Sequence, residues 1–470
     1  MFEKLDTLKP GLKKLVRELR GKYAYASVLA VADDNRNWRI SGSGKSITTQ
    51  GHGGGTGFVV RVFDETGIAE YSFNDFSEEM IPEIIRTLGE RISAETEALP
   101  DGISPLPTHV PADEPCVLKK ESSFEINPRV LGDEAILGRL NGIRERALAT
   151  EGVLDCGINF GYRAYRKLFL SENRDLDQTV MWTNGGVFAL AAKGEEVKDS
   201  YRAFSVLGGA ELLDRMETCA EDVAKVAVEL LGSEPITPGE YDCICDPDTT
   251  GMIVHEAFGH GVEMDMFVKD RAQAKHFIGK PVASPLVTMH DGNAVNDTAT
   301  MWFDDEGVLT SDTVVIDRGI LKTGMCDTLA ADRLGTHPTG NGRRESYERK
   351  AYTRMTNTYF EGGSDSLEDM FASIKYGFLL ESPSSGMEDP KNWGIQCMVS
   401  IAREIRDGKL TGRIFSPIVL TGYVPDLLKS ISMMSGEAVT CGSGFCGKGW
   451  KEWVKVSDGG PYVKARIRLG

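Results

Sequence analysis

The sequence predicts an α+β fold: an N-terminal α/β domain with antiparallel hairpins and long helices, followed by a β-rich C-terminal domain. Three observations carry this reading. Apolar residues recur at helical spacing in only a few long stretches. Strand-forming runs fall between glycine turns, with 52 glycines in 470 residues. Helices and hairpins also alternate without the βαβ regularity of a parallel sheet. Gly232 to Gly239, with its two prolines, is the strongest boundary and divides the chain into 1–235 and 236–470.

The elements follow in order. Residues 9–21 carry Leu12, Leu15, Val16 and Leu19 at helical spacing. Tyr23 to Ala32 reads as a strand, with Trp38 to Ser41 as its return. After a glycine-rich loop over 51–57 come strands at 58–63 and 67–73, then a helix from Glu78 to Thr96. Five prolines between Pro100 and Pro115 mark an internal linker over about 98–116. A second round has a helix from Asn127 to Thr150, a hairpin turn at Asn184-Gly185, and an amphipathic helix from Glu211 to Leu231. The C-terminal half is mainly strands and glycine turns.

Composition narrows the function. Lys plus Arg number 53 against 70 Asp plus Glu, a net charge of −17. Such a chain repels phosphate backbones, so no nucleic-acid partner is expected. The apolar runs fall far short of the ~20 residues of a membrane helix, so no membrane partner is expected either. The N-terminus lacks the apolar core of a signal peptide, and the expected location is cytoplasmic. Nine cysteines, an odd number spread thinly, suit free thiols in a reducing compartment. Gly42-Ser43-Gly44-Lys45-Ser46 imitates the end of a phosphate-binding loop, but Arg39 stands where that loop needs glycine and no helix follows. It reads as a polar turn.

The informative stretch is His255-Glu256-Ala257-Phe258-Gly259-His260-Gly261-Val262-Glu263, after a helix start at Asp248 or Thr249. Metallopeptidase helices normally place two histidines four apart, on one face. A spacing of five sets them ~140° apart on a regular helix. His255 and His260 share a metal only if the helix bulges or ends between them, which Gly259 and Gly261 permit. Glu256 is then placed to take a proton from water, and Glu263 to support a ligand or to be one. A third ligand comes from among Cys441, Cys446, His276, His290 and His337. Cys446 lies in a tight glycine loop, where Lys448 could stabilise a thiolate. The alternative is two buried histidines on a core helix.

With these residues the chain resembles the TldD/PmbA family, metallopeptidases once named modulators of DNA gyrase. The resemblance runs nearly the full length and is strongest from about residue 240. It is carried by 255–263, Asp304-Asp305-Glu306-Gly307, Gly340 to Ser346, Arg354 to Thr358, and Phe445-Cys446-Gly447-Lys448. The resemblance implies Zn2+ held by His255, His260 and Cys446 in the C-terminal domain, Glu256 as catalytic base, and hydrolysis of unfolded peptides. It also implies a dimer, either a heterodimer with a TldE/PmbA-type paralogue or a homodimer. Between Leu379 and Gln396, at the expected substrate groove, the chain departs from the glycine-rich TldD pattern. Arg343 and Arg344 are candidates for positioning substrate or partner, or for a structural ion-pair network. Arg354 to Tyr359 reads as a strand to which an extended peptide could add. The rival functions are a non-catalytic scaffold stabilised by metal and a zinc amidase acting on small molecules.

Overall fold

A computed structural model describes residues 2–48, 55–64, 67–97, 108–449 and 452–470. Most of the glycine-rich loop over 51–57, and residues 98–107 of the expected linker, lie outside the described residues. The remainder of that linker, 108–115, has no regular structure and leads into the strand Cys116–Glu121. The class is α+β, as the sequence predicts.

Residues 25–206 build one eight-stranded sheet, antiparallel except where Cys116–Glu121 runs alongside Arg174–Lys193. The two rounds read from the sequence meet inside it, because Val28 to Ile40 pairs with Ile158 to Leu170. Helix Glu3–Arg20 has acidic residues in its first turn and Arg17 and Arg20 in its last, as the helix dipole favours. It buries Leu5, Leu12, Leu15 and Leu19 with Ile84 and Leu88 of helix Ile81–Glu97 against Val28, Phe58 and Val60. Helices Asp133–Leu148 and Leu212–Glu229 cover Phe160 and Val187 in a second core.

Two expected turns are absent. Tyr25–Ser41 is a single strand through Asp33 to Asn37, because these polar residues find partners across the sheet: Arg163 pairs with Asp33, and Tyr162 donates to Asp34 at 2.9 Å. Arg174–Lys193 likewise runs straight through Asn184-Gly185. The glycines there serve close packing: a Cβ on Gly185 would stand 2.5 Å from Met216 Sδ, and one on Gly186 2.4 Å from the Tyr201 hydroxyl. Gly42 and Ser43 do form a hairpin turn, between the paired residues Ser41 and Gly44.

The C-terminal half holds two larger sheets. One is seven-stranded and contains the hairpin Tyr376–Asp389 and Gly394–Arg406 beside Gly239–Cys245. The other is six-stranded, with Asn357–Phe360 between Met289–Gly292 and Ser457–Gly460. The helical segment 247–262 packs its Ile253, Val254, Ala257 and Phe258 into the core these sheets share. Cys243 and Cys245 are fully buried there, and all nine cysteines are free. No helix among the described residues is long and apolar enough to cross a membrane.

Candidate metal centre

The histidine motif begins on helix Pro247–Met252. Its cap is Asp246, rather than Asp248 or Thr249: the carboxylate accepts from the Thr249 N–H at 2.7 Å, and Pro247 takes the first helical position. From Ile253 to Gly259 the coil widens into a π-helix, then tightens into a 3₁₀ turn over His260–Val262. The His260 N–H donates to the His255 carbonyl, the i to i+5 bond of a π-turn. That widening brings residues five apart onto one face. The two imidazoles stand perpendicular with centroids 5.0 Å apart. Gly259 lets the turn pack closely here: a Cβ would lie 2.3 Å from Met355 Sδ and 3.2 Å from the Val254 carbonyl.

Cys446 arrives from a different part of the chain, on the strand Phe445–Lys448. Its Sγ is 3.4 Å from His260 Nε2, and donor atoms of His255, His260 and Cys446 all lie within 4.8 Å of one another. Among the described residues this is the one such group. The other candidates lie elsewhere: Cys441 faces Ser443 at 3.4 Å, and His290 bonds Asp312 and Glu361. Burial would raise the Cys446 pKa, but the His260 charge and hydrogen bonds from both histidines outweigh it and hold the thiol down to about 4. Burial would lower His260, yet Cys446 and Glu263 raise it well above the usual value. Two imidazoles and a thiolate suit zinc, and three donors leave a position open.

Glu263 is fully buried and accepts from His260 Nδ1 at 3.1 Å, so Nε2 faces Cys446. Lys448 Nζ donates to Glu263 at 3.0 Å, to Asp265 at 2.6 Å and to the Thr353 carbonyl at 3.0 Å. The lysine therefore anchors Glu263 and Asp265; the expectation that it would face the Cys446 thiolate is corrected. His255 Nδ1 is buried without a hydrogen bond, 3.7 Å from Asp458 Oδ2.

Glu256 points to the hairpin 376–406. A Cβ on Gly386 would meet its Cγ at 2.4 Å. This hairpin contains the segment that departs from the family pattern, and it carries a group the sequence reading missed. Glu388 has both carboxylate oxygens buried without a hydrogen bond, and Oε1 is 2.7 Å from where a Gly261 Cβ would be. Burial pushes its pKa well above the ordinary value; His260 opposes the rise, while Glu263 and Glu256 add to it. No motif marks Glu388, and only its place opposite the histidine turn identifies it.

Arg344 belongs to an ion-pair network: it pairs with Glu70, which also holds Arg61, and Arg61 reaches Glu306 at 2.7 Å. Arg343 instead donates to the carbonyls of Met355 and Lys455. The Asp304–Gly307 turn holds this segment, since Asp304 accepts from the Gly342 N–H and Asp305 from the Arg344 N–H, both at 2.8 Å. Asn357–Phe360 is paired along both edges, so the expectation that a peptide could add to it is withdrawn.

An α+β chain with a buried His–His–Cys cluster beside a glutamate has the character of a metalloprotease. Residues 238–467 match the family model for the PmbA/TldA metallopeptidase C-terminal domain. A metalloprotease TldD homologue of Buchnera aphidicola is 33% identical over 252 residues, 53% of this chain and 52% of that protein. The chain thus spans about half that relative's length. A zinc metalloprotease TldD homologue of Saccharolobus solfataricus is 28% identical over 65% of this chain and 69% of its own. TldE from Thermococcus kodakarensis shares the fold, with a TM-score of 0.74 at 17% identity, covering 97% of this chain and 99% of that one. The C-terminal half of the chain, residues 238–467, thus carries the C-terminal domain of the TldD/PmbA family.

Proposed function

We propose that the chain is a zinc-dependent metallopeptidase that hydrolyses unfolded or flexible peptides. The observation that carries this is the convergence of donor atoms of His255, His260 and Cys446 within 4.8 Å of one another, with Glu256 following His255 in the chain. A zinc ion held by these three donors would supply Lewis acidity, polarising a peptide carbonyl and making water nucleophilic at neutral pH. Glu256 takes the proton of the attacking water and returns it to the leaving amine. Glu263 fixes the ring of His260, and Lys448 and Arg354 fix Glu263. The hairpin around Gly386 and Glu388 walls the Glu256 side. The reading includes a dimer, formed with a TldE/PmbA-type paralogue or with a second copy.

The test is turnover of an unstructured peptide by zinc-loaded protein and by Glu256→Gln. The variant should retain zinc and lose about 10²–10⁴-fold in rate. Full turnover by Glu256→Gln contradicts the role of Glu256. A parent that loses thermal stability with its metal, yet cleaves no peptide and no small amide, is the scaffold.

A further inference from the structure

A cavity of about 250 Å³ lies between the eight-stranded sheet and the strand Glu452–Lys455. Leu29, Val31 and Met301 give it apolar walls, with Trp182 and Trp453 as aromatic ones. Although Asp33 Oδ1 and Arg344 Nε are buried without a hydrogen bond, most of the charges on its lining are in ion pairs: Arg163 with Asp33, Lys167 with Asp305, and Arg344 with Glu70. Two cations are not. Lys455 is 5% exposed, and its Nζ has no hydrogen-bond partner. It sits 4.9 Å over the ring of Trp182 and 4.6 Å over that of Phe445, whose faces lie against its charge. Arg343 gives its guanidinium donors to two carbonyls, and among the described residues no carboxylate forms an ion pair with it.

A buried, unpaired ammonium is costly, and it persists where something other than stability selects it. Burial pushes the Lys455 amine down to about 7, and the acidic groups of Cys441, Asp297 and Asp458 only partly counter this. An anion beside it would hold the proton in place. The cavity and the metal centre share one two-stranded ribbon, Phe445–Lys448 with Glu452–Lys455. Val454, which lines the cavity, is the cross-strand partner of Cys446, and Phe445 is the partner of Lys455. Its volume is below that of ordinary ligand pockets and suits one residue of a peptide.

We propose that this cavity binds a carboxylate of the peptide substrate, with Lys455 and Arg343 as its counter-charges and the aromatic walls around the residue that bears it. This rests on the peptidase reading and deepens it: the enzyme selects peptides that present either a free C-terminus or an acidic side chain at this subsite. Peptides supply no other common anion.

The test measures binding to zinc-loaded Glu256→Gln protein, which should not consume the probe. The probes are one N-terminally labelled, apolar hexapeptide as its free acid, as its C-terminal amide, and as an amide with glutamate in the last position. Fluorescence anisotropy should show the free acid or the glutamate peptide at least ~10-fold tighter than the plain amide. Whichever gains identifies the source of the carboxylate. Adding Lys455→Met should abolish the gain and leave the melting temperature equal or higher, because a buried charge is removed. A residue serving structure alone would lower the melting temperature instead. Equal affinity for all three peptides overturns the proposal, as does a carboxylate preference that survives Lys455→Met. Turnover separates the two readings. A parent that cleaves acid and amide peptides equally well loses the subsite and keeps the peptidase. A carboxylate preference in a protein that cleaves nothing keeps the subsite and loses the peptidase.

Discussion

The backbone N–H of His260 donates to the carbonyl of His255, so the two histidines are the ends of a single π-turn hydrogen bond. Their five-residue spacing and their shared face are therefore one structural fact. A π-turn costs packing and backbone regularity, and such turns concentrate at functional sites.

Gly259→Ala should disrupt this turn. The added methyl would lie 2.3 Å from Met355 Sδ and 3.2 Å from the Val254 carbonyl, and Met355 is fully buried with little room to retreat. Overpacking of this kind costs about 1–3 kcal/mol. Chemical denaturation of the metal-free variant should show that loss, and its zinc affinity should fall as well. Unchanged stability and affinity would mean that the turn is not constrained at Gly259.

Glu263→Gln should weaken zinc binding by about 10–100-fold while the protein stays folded, because the amide no longer accepts as a carboxylate from His260 Nδ1. Competition with a chromogenic chelator measures this. Lys448→Met is the harsher change, since it strips the cation from buried Glu263 and Asp265. Breaking such a buried pair costs about 3–5 kcal/mol in unfolding free energy.

The metal-free cluster should show a distinctive pH dependence. The folded pKa of Cys446, about 4, lies below its unfolded value. Its contribution is therefore complete at alkaline pH and is lost as pH falls through about 4. The folded pKa values of His255 and His260 are raised, so their contribution is complete in acid and is lost as pH rises through those values. Urea denaturation of parent and Cys446→Ser should differ most near neutrality and converge toward pH 4. At pH 7 the parent should also show one more thiolate by absorbance at 240 nm. Equal stability of the two proteins near neutrality, with no extra absorbance at 240 nm, would remove the thiolate.

The site was legible in the sequence where its chemistry is local. His255, Glu256 and His260 announce themselves by residue type, and Gly259 and Gly261 announce the distortion that brings the histidines together. Cys446 could be reduced to a short set of candidates, but chemistry alone could not separate it from Cys441, because the two lie on different strands, Cys446 in register with Glu452–Lys455 and Cys441 with Ser457–Gly460. Glu388 left no signal, since its significance lies in an approach to Gly261 across more than a hundred residues. In the fold, Asn184-Gly185 has the composition of a turn, yet those glycines admit Met216 and Tyr201 to the sheet surface. Asp33 to Asn37 looked like a loop because polar runs usually are, whereas here the charges are met across the sheet by Arg163 and Tyr162.

The central claim is that His255, His260 and Cys446 together hold one zinc ion. It is tested most directly by metal mass spectrometry on protein loaded with zinc and desalted, beside Cys446→Ala treated identically. The account predicts about one zinc per chain in the parent and far less in the variant. Equal zinc in both, or none in either, would contradict it.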